Sequence, residues 1–209
     1  MKDVRPLFEI KGKIYILALL FLWEMSSKYK FGDERHIHFV TFTVVHWIDF
    51  FIREEYRSVL IESIKFCQRE KGLHLYGYCI MTSHIHLLIS CDGVNSLESI
   101  VRDMKSFTSQ CFRKLLVSDG NNYESRKSWM LWMMNRSGDK RKGDIQYRFW
   151  QAGNHTVEIW TDEVFHQKLN YIHENPVVSG FVTKAEDWLY SSARNYASLS
   201  SVLEIIYDH

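Results

Sequence analysis

Strand-like and helix-like patterns of apolar positions succeed one another along the chain. Residues 36–45 (HIHFVTFTVV) are rich in β-branched and aromatic types and predict a strand. Residues 54–71 place Tyr56, Val59, Leu60, Ile64 and Cys67 at helical spacing, and Gly72 follows as a stop. Residues 73–80 (LHLYGYCI) and 84–90 predict two more strands, and the short link Met81-Thr82-Ser83 makes them antiparallel neighbours. Residues 96–116 line up Leu97, Ile100, Val101, Met104, Cys111 and Leu115 as the stripe of a second helix, with Asn95 and Glu98 as an expected capping pair. Residues 118–146 are polar and without a clear period, apart from the run Trp129 to Met134. Residues 162–175 predict a third helix, capped by Thr161 with Asp162 and Glu163 in the first turn. Pro176 is expected to end it, because the residue before a proline avoids helical geometry. This order of elements gives an α+β fold with a ferredoxin-like antiparallel sheet and helices packed on it.

The 209 residues suit one domain with a proper core. The net charge of +1 names no partner, so any nucleic-acid surface must be a local patch. Cys67, Cys79, Cys91 and Cys111 form no CxxC pair and read as reduced residues of a cytoplasmic protein. Ile14–Trp23 is an apolar run too short to span a bilayer, which takes about 20 residues. As a signal-peptide core it lacks a small-x-small cleavage site. The expectation is that Met25 is the natural start, that residues 1–24 are an upstream extension, and that residues 25–209 are a single domain.

Candidate chemistry begins in the third strand. His84 and His86 are one residue apart and share a face, with Ile85 on the other. Two imidazoles on a strand can hold a divalent metal, but His36-Ile37-His38 has the same spacing, so the spacing alone decides nothing. Tyr171 and Asn175 are four residues apart on the third helix and stack on one face, while Phe165, Leu169 and Ile172 form a core-facing stripe. An amide oxygen is a hard ligand matched to Mg²⁺ or Mn²⁺, and a tyrosine beside it suits a nucleophile. On spacing alone, a packed Tyr171 and a capping Asn175 remain the stronger reading.

The segment Met81-Thr82-Ser83-His84-Ile85-His86-Leu87-Leu88-Ile89-Ser90 resembles the HUH motif of the single-tyrosine transposases, specifically the REP-associated group. That group typically carries Pro-Asn or Thr-Asn before the first histidine, where this chain has Thr82-Ser83. The likeness extends in order over roughly residues 25–200, through Arg148-Phe149-Trp150-Gln151, Tyr171-Ile172-His173-Glu174-Asn175-Pro176-Val177 and Asp187-Trp188-Leu189-Tyr190-Ser191-Ser192-Ala193. It implies that His84 and His86 bind a divalent metal, Mg²⁺ or Mn²⁺, that Asn175 is a third polar ligand, and that Tyr171 is the nucleophile. The implied activity is metal-dependent cleavage and transfer of single-stranded DNA through a covalent 5′-phosphotyrosine, at hairpin or repeat ends. Relatives of the insertion-sequence type are dimers and the REP-associated group is described as monomeric, so monomer and homodimer both stand. A phenol ordinarily titrates near about 10, so something must help take its proton.

Arg126, Lys127, Arg136, Lys140, Arg141, Lys142 and Arg148, interleaved with Trp129, Trp132 and Tyr147, form a local basic and aromatic patch fit for single-stranded DNA. A solvated loop with its tryptophans in the core explains the same residues equally well. Lys105, on the polar side of the second helix, is a further candidate phosphate contact. Two other functions remain open: a domesticated binder of folded DNA repeats that cuts little, and an RNA-binding module using an aromatic-rich sheet.

Overall fold

The computed structural model describes residues 36–118, 124–138 and 147–207. The expected extension 1–24 and the candidates Lys140, Arg141 and Lys142 lie outside them. The elements are β1 (His38–Thr43), α1 (Glu54–Lys71), β2 (Leu73–Ile80), β3 (His84–Cys91), α2 (Leu97–Val117), α3 (Lys127–Arg136), β4 (His155–Glu158), α4 (Asp162–Val178) and the short α5 (Ala193–Tyr196). The strands form one antiparallel sheet in the order β2-β3-β1-β4. This is the ferredoxin-like order expected from the α+β pattern.

Alternation divides the sheet into two faces. Val40 and Phe42 of β1 and Ile85, Leu87 and Ile89 of β3 join the larger core, with Leu60 and Ile64 of α1 and Ile100, Val101 and Met104 of α2. Phe39 and Leu88 point the other way and pack with Phe165, Leu169 and Ile172 of α4. Between Leu75 and Gly77 the pairing with β3 shifts register. An extra residue in a strand resets the alternation. Leu73, Leu75, Tyr78 and Ile80 therefore all reach the larger core.

Local chemistry sets the ends of the helices. Gly72 closes α1 in the left-handed region at φ 70°. Thr161 caps α4 by accepting a hydrogen bond from the Val164 N–H at 3.3 Å. Three expectations need correction. The cap of α2 is Ser96, whose side chain accepts from the Ser99 N–H, and Asn95 instead donates to the Lys71 carbonyl. Pro176 does not end α4, which continues to Val178. Proline disfavours helical geometry in its predecessor without forbidding it, and the bond it forfeits falls in the last turn, where little helix remains to be broken. The polar stretch also contains order, since α3 forms around the buried Met130 and Met134. Beyond it, β4 pairs with β1 through only four residues.

The outer edge of β2 is covered by the C-terminal part of the chain. The Ile80 N–H donates to the Tyr190 carbonyl, the Ser192 N–H to the Tyr78 carbonyl, and the Ile206 N–H to the Leu75 carbonyl, all at 2.8–2.9 Å.

Helix α4 lies close over β2. A β-carbon at Gly77 would meet Leu169 Cδ1 at 2.8 Å and Leu88 Cδ1 at 3.3 Å. Gly77→Ala should therefore displace the Leu169 and Leu88 side chains and cost about 1–3 kcal/mol, the usual penalty of overpacking a core. Urea unfolding would show a lower midpoint; an unchanged midpoint would contradict so close an approach.

Candidate active site

Antiparallel pairing sets Thr41 opposite His86 and Thr43 opposite His84. Both histidines thus project from the face that carries α4. His86 is buried, and Thr41 Oγ1 lies 2.7 Å from its Nδ1. Phe39, two residues back on β1, stacks on the His86 ring at 5.4 Å between centroids. The His84 ring meets the His86 ring edge to face at 4.8 Å.

Helix α4 brings the remaining groups. Lys168, Tyr171 and Asn175 recur at helical spacing, so they share one face beside the Phe165–Leu169–Ile172 stripe. Asn175 is buried, with Nδ2 3.2 Å from His86 Nε2. The Tyr171 ring lies 5.3 Å from that of His86 and 5.9 Å from that of Phe39, and the residue keeps 37% of its surface exposed. The Lys168 ammonium sits 5.2 Å over Phe39. A buried amide and a half-exposed phenol therefore flank the same imidazole.

Burial holds both imidazoles neutral. His84 is lowered to about 4 by desolvation, against a small opposing pull from Asp49. His86 is lowered well below its ordinary value by desolvation, reinforced by His84, Lys168 and His155. A neutral imidazole offers a lone pair, which is the form a metal takes. Asn175 Oδ1 is buried with no hydrogen-bond partner. A half-turn of the amide would exchange Oδ1 and Nδ2 toward His86 with little change of shape. Among the described residues no group of three His, Cys, Asp or Glu is placed to hold a metal. The set that fits a divalent cation is His84, His86 and the Asn175 amide.

The other candidates part company. His36 Nδ1 pairs with Glu158 at 2.7 Å, and His38 Nδ1 bonds the His36 carbonyl at 2.8 Å, so both serve the strand itself. His173 turns from the site to Ser192 Oγ at 2.9 Å. Tyr190 lies under the Arg57 guanidinium at 4.1 Å, and the Tyr196 hydroxyl donates to the Tyr76 carbonyl. Trp150 is a core residue whose Nε1–H donates to Thr108 Oγ1. Lys105 does not project freely: its ammonium donates to the Gln151 and Gly153 carbonyls and to Asn154 Oδ1, and burial lowers it to about 8. Arg126 binds Glu124 and the Asp49 carbonyl. Lys127 opens α3, Arg148 is half-buried, and Arg136 lies over the Trp132 ring at 5.4 Å. Trp129 and Trp132 are 50% and 55% exposed, which places them on the surface rather than in the core.

Sequence reasoning passed over Thr41, Phe39, Lys168 and Trp47. Strand alternation carried a signal for the first two, and helical spacing from Tyr171 for Lys168. The segment 44–51, which holds Trp47, had none. There His46 (φ 57°) and Trp47 (φ 55°) both lie in the left-handed region. For residues other than glycine this costs of order 1–3 kcal/mol each and persists only where the surroundings enforce it. Here they do. The Val44 and Phe51 N–H groups donate to the Ser83 and Thr82 carbonyls, Val45 to Phe149, and Thr82 Oγ1 to Asp49 Oδ1. The loop is thereby tied to the link that precedes His84.

Residues 33–132 match the family described as Transposase IS200 like. A Haemophilus influenzae (strain ATCC 51907 / DSM 11121 / KW20 / Rd) protein named as a REP-associated tyrosine transposase is 31% identical over 116 residues, 54% of this chain and 55% of the relative. The chain thus spans about half the length of that curated relative. The solved structure of a REP-associated tyrosine transposase bound to a REP hairpin covers 88% of this chain and 95% of its own, with TM-score 0.61 and 16% identity, and shares the fold. The resemblance read from the motifs is borne out. Among the described residues no helix is long and apolar enough to cross a membrane.

Glu124 is the buried anchor of the segment leading into α3, held by Arg53 at 2.9 Å and by Arg126 at 3.0 Å. Burial would raise its carboxyl, but the hydrogen bonds from Arg126 and Arg53 outweigh that and lower it to about 2. Its contribution is then complete above the ordinary carboxyl value and lost as pH falls toward 2. Glu124→Gln should lose about 2 kcal/mol at neutral pH. Unfolding followed from pH 5 to pH 2 should show a shallower loss of stability in the variant than in the parent protein; equal slopes would refute the assignment.

Proposed function

We infer that this chain is a metal-dependent nuclease and strand transferase for single-stranded DNA, using Tyr171 as nucleophile. The observation that carries the reading is the convergence of His84, His86 and Asn175 from a strand and a distant helix, with the Tyr171 ring against His86. Chance packing would not be expected to gather two neutral imidazoles, a buried amide oxygen lacking a partner and a solvent-accessible phenol at one point. The hairpin bound by the solved relative supports DNA hairpin or repeat ends as the ligand class.

Bound by His84, His86 and Asn175, Mg²⁺ or Mn²⁺ would act as a Lewis acid that offsets the charge of the scissile phosphate. Tyr171 Oη forms a bond to phosphorus as the P–O3′ bond breaks. The departing oxygen leaves as a 3′-hydroxyl, its proton balanced by the one the phenol gives up to solvent or a nearby base. The other product is a 5′-phosphotyrosine. Attack by a 3′-hydroxyl on that linkage breaks P–Oη and restores the phenol, so joining needs no nucleotide cofactor. Thr41 holds the His86 ring through Nδ1, which leaves Nε2 to face the site. The Lys168 ammonium sits over the Phe39 ring, which also meets the Tyr171 ring, and so adds positive charge beside the phenol.

Incubation with Mn²⁺ and a single-stranded hairpin oligonucleotide should yield a denaturation-resistant adduct whose peptide maps to Tyr171. Tyr171→Phe should abolish the adduct while retaining DNA binding. Binding by the parent protein without any adduct would instead identify a binder, and an adduct that persists in the variant would sink the tyrosine assignment. Thr41→Val should raise the Mn²⁺ concentration for half-maximal nicking by about 10- to 100-fold, with Thr41→Ser restoring it. An unchanged Mn²⁺ requirement would exclude a supporting role for Thr41.

A further inference from the structure

The strained loop 44–51 presents one large side chain. Val45 and Ile48 anchor it in the core, while Trp47 between them keeps 50% of its surface exposed. The backbone of His46 and Trp47 is left-handed there. The indole does not stand alone there: its ring meets that of His84 at 5.4 Å, edge to face. His46 in turn lies 2.6 Å from Ser137 Oγ, just beyond the end of α3, where Arg136 covers the exposed Trp132. An exposed tryptophan is thus held rigidly beside a candidate metal ligand, and a second aromatic and cationic pair follows on the next element.

A large apolar ring held in strained backbone and left half in solvent does little for the core. Its chemistry suits a planar, unpaired nucleobase, because every base has a π-face and stacking tolerates any sequence. A duplex would hide those faces, so the ligand must be single-stranded at this point. We propose that Trp47 is a stacking platform for a nucleobase flanking the phosphate held at His84 and His86, so that it sets the position of the strand along the site. This rests on the single-stranded DNA reading above. Lying against His84, the same ring would couple seating of the base to the orientation of that imidazole.

The test uses the full chain, fluorescence anisotropy and two labelled 20-mers: oligothymidine, and a backbone of abasic units with the same phosphates and no bases. The parent protein should bind oligothymidine more tightly than the abasic strand. Trp47→Ala should weaken oligothymidine binding about tenfold, within the range for loss of one stacked base, and leave abasic binding unchanged. Trp47→Phe should retain most of the affinity. If the parent protein discriminates between the strands and Trp47→Ala binds both as the parent does, the proposal is overturned while the functional reading survives. Equal weakening on both strands would mean a disturbed loop rather than lost stacking, and would also overturn it. If the parent protein binds neither strand, the proposal fails; failure to bind a hairpin oligonucleotide with a single-stranded flank as well would sink the single-stranded DNA reading.

Discussion

The register of β1 against β3 is the constraint on which the site depends. Thr41 faces His86 across that ladder, and Thr43 faces His84. Side chains alternate along a strand, so a slip of one residue would carry both histidines into the larger core and turn Ile85 and Leu87 toward α4. Burying two imidazoles among Leu60, Ile64 and Met104 would leave their nitrogens unpaired, while exposing two branched aliphatic side chains would forfeit their burial. Hydrophobic patterning therefore enforces the placement of the polar groups. The candidate site residues are located by residues that only pack.

A second element completes the site without loops. The stripe of Phe165, Leu169 and Ile172 fixes the rotation of α4 on the sheet, and Gly77 lets it come close. Once rotation and distance are set, the helical period places Lys168, Tyr171 and Asn175 in order over the histidines. Helicity through Pro176 matters here, since a helix ending earlier would release Asn175 from the turn that holds it beside His86. A strand and a helix, both rigid, hold the donor set more tightly than loops could. Flexibility in catalysis would have to come from the phenol, whose ring lies at the solvent boundary.

Much of this was legible in the sequence because it depended on periods. The bounds of α1 and β2 follow from apolar spacing and from Gly72, and the facing of His84 and His86 from strand alternation. The link between Tyr171 and Asn175 follows from the helical repeat. What escaped was set by tertiary context. Strand β4 is too short to show alternation and takes its structure from pairing with β1. Helix α3 has a mixed sequence and is organised by two buried methionines. Lys105 carries a charge that would be expected to face solvent, yet three oxygens of the segment 151–154 draw it inward. The left-handed backbone at His46 and Trp47 has no local signature, since neither is glycine or asparagine; it exists because bonds from the loop N–H groups to the carbonyls of Ser83, Thr82 and Phe149 hold the loop on both sides.

The tail that crosses β2 also bears on association. An edge strand with free N–H and C=O groups is a template on which another chain can extend a sheet. On β2 the groups of Leu75, Tyr78 and Ile80 are already spent on Ile206, Ser192 and Tyr190. Two irregular stretches near the end of the chain thus cap this edge. A second copy that sought to continue the sheet past β2 would first have to peel the C-terminal segment away from these groups.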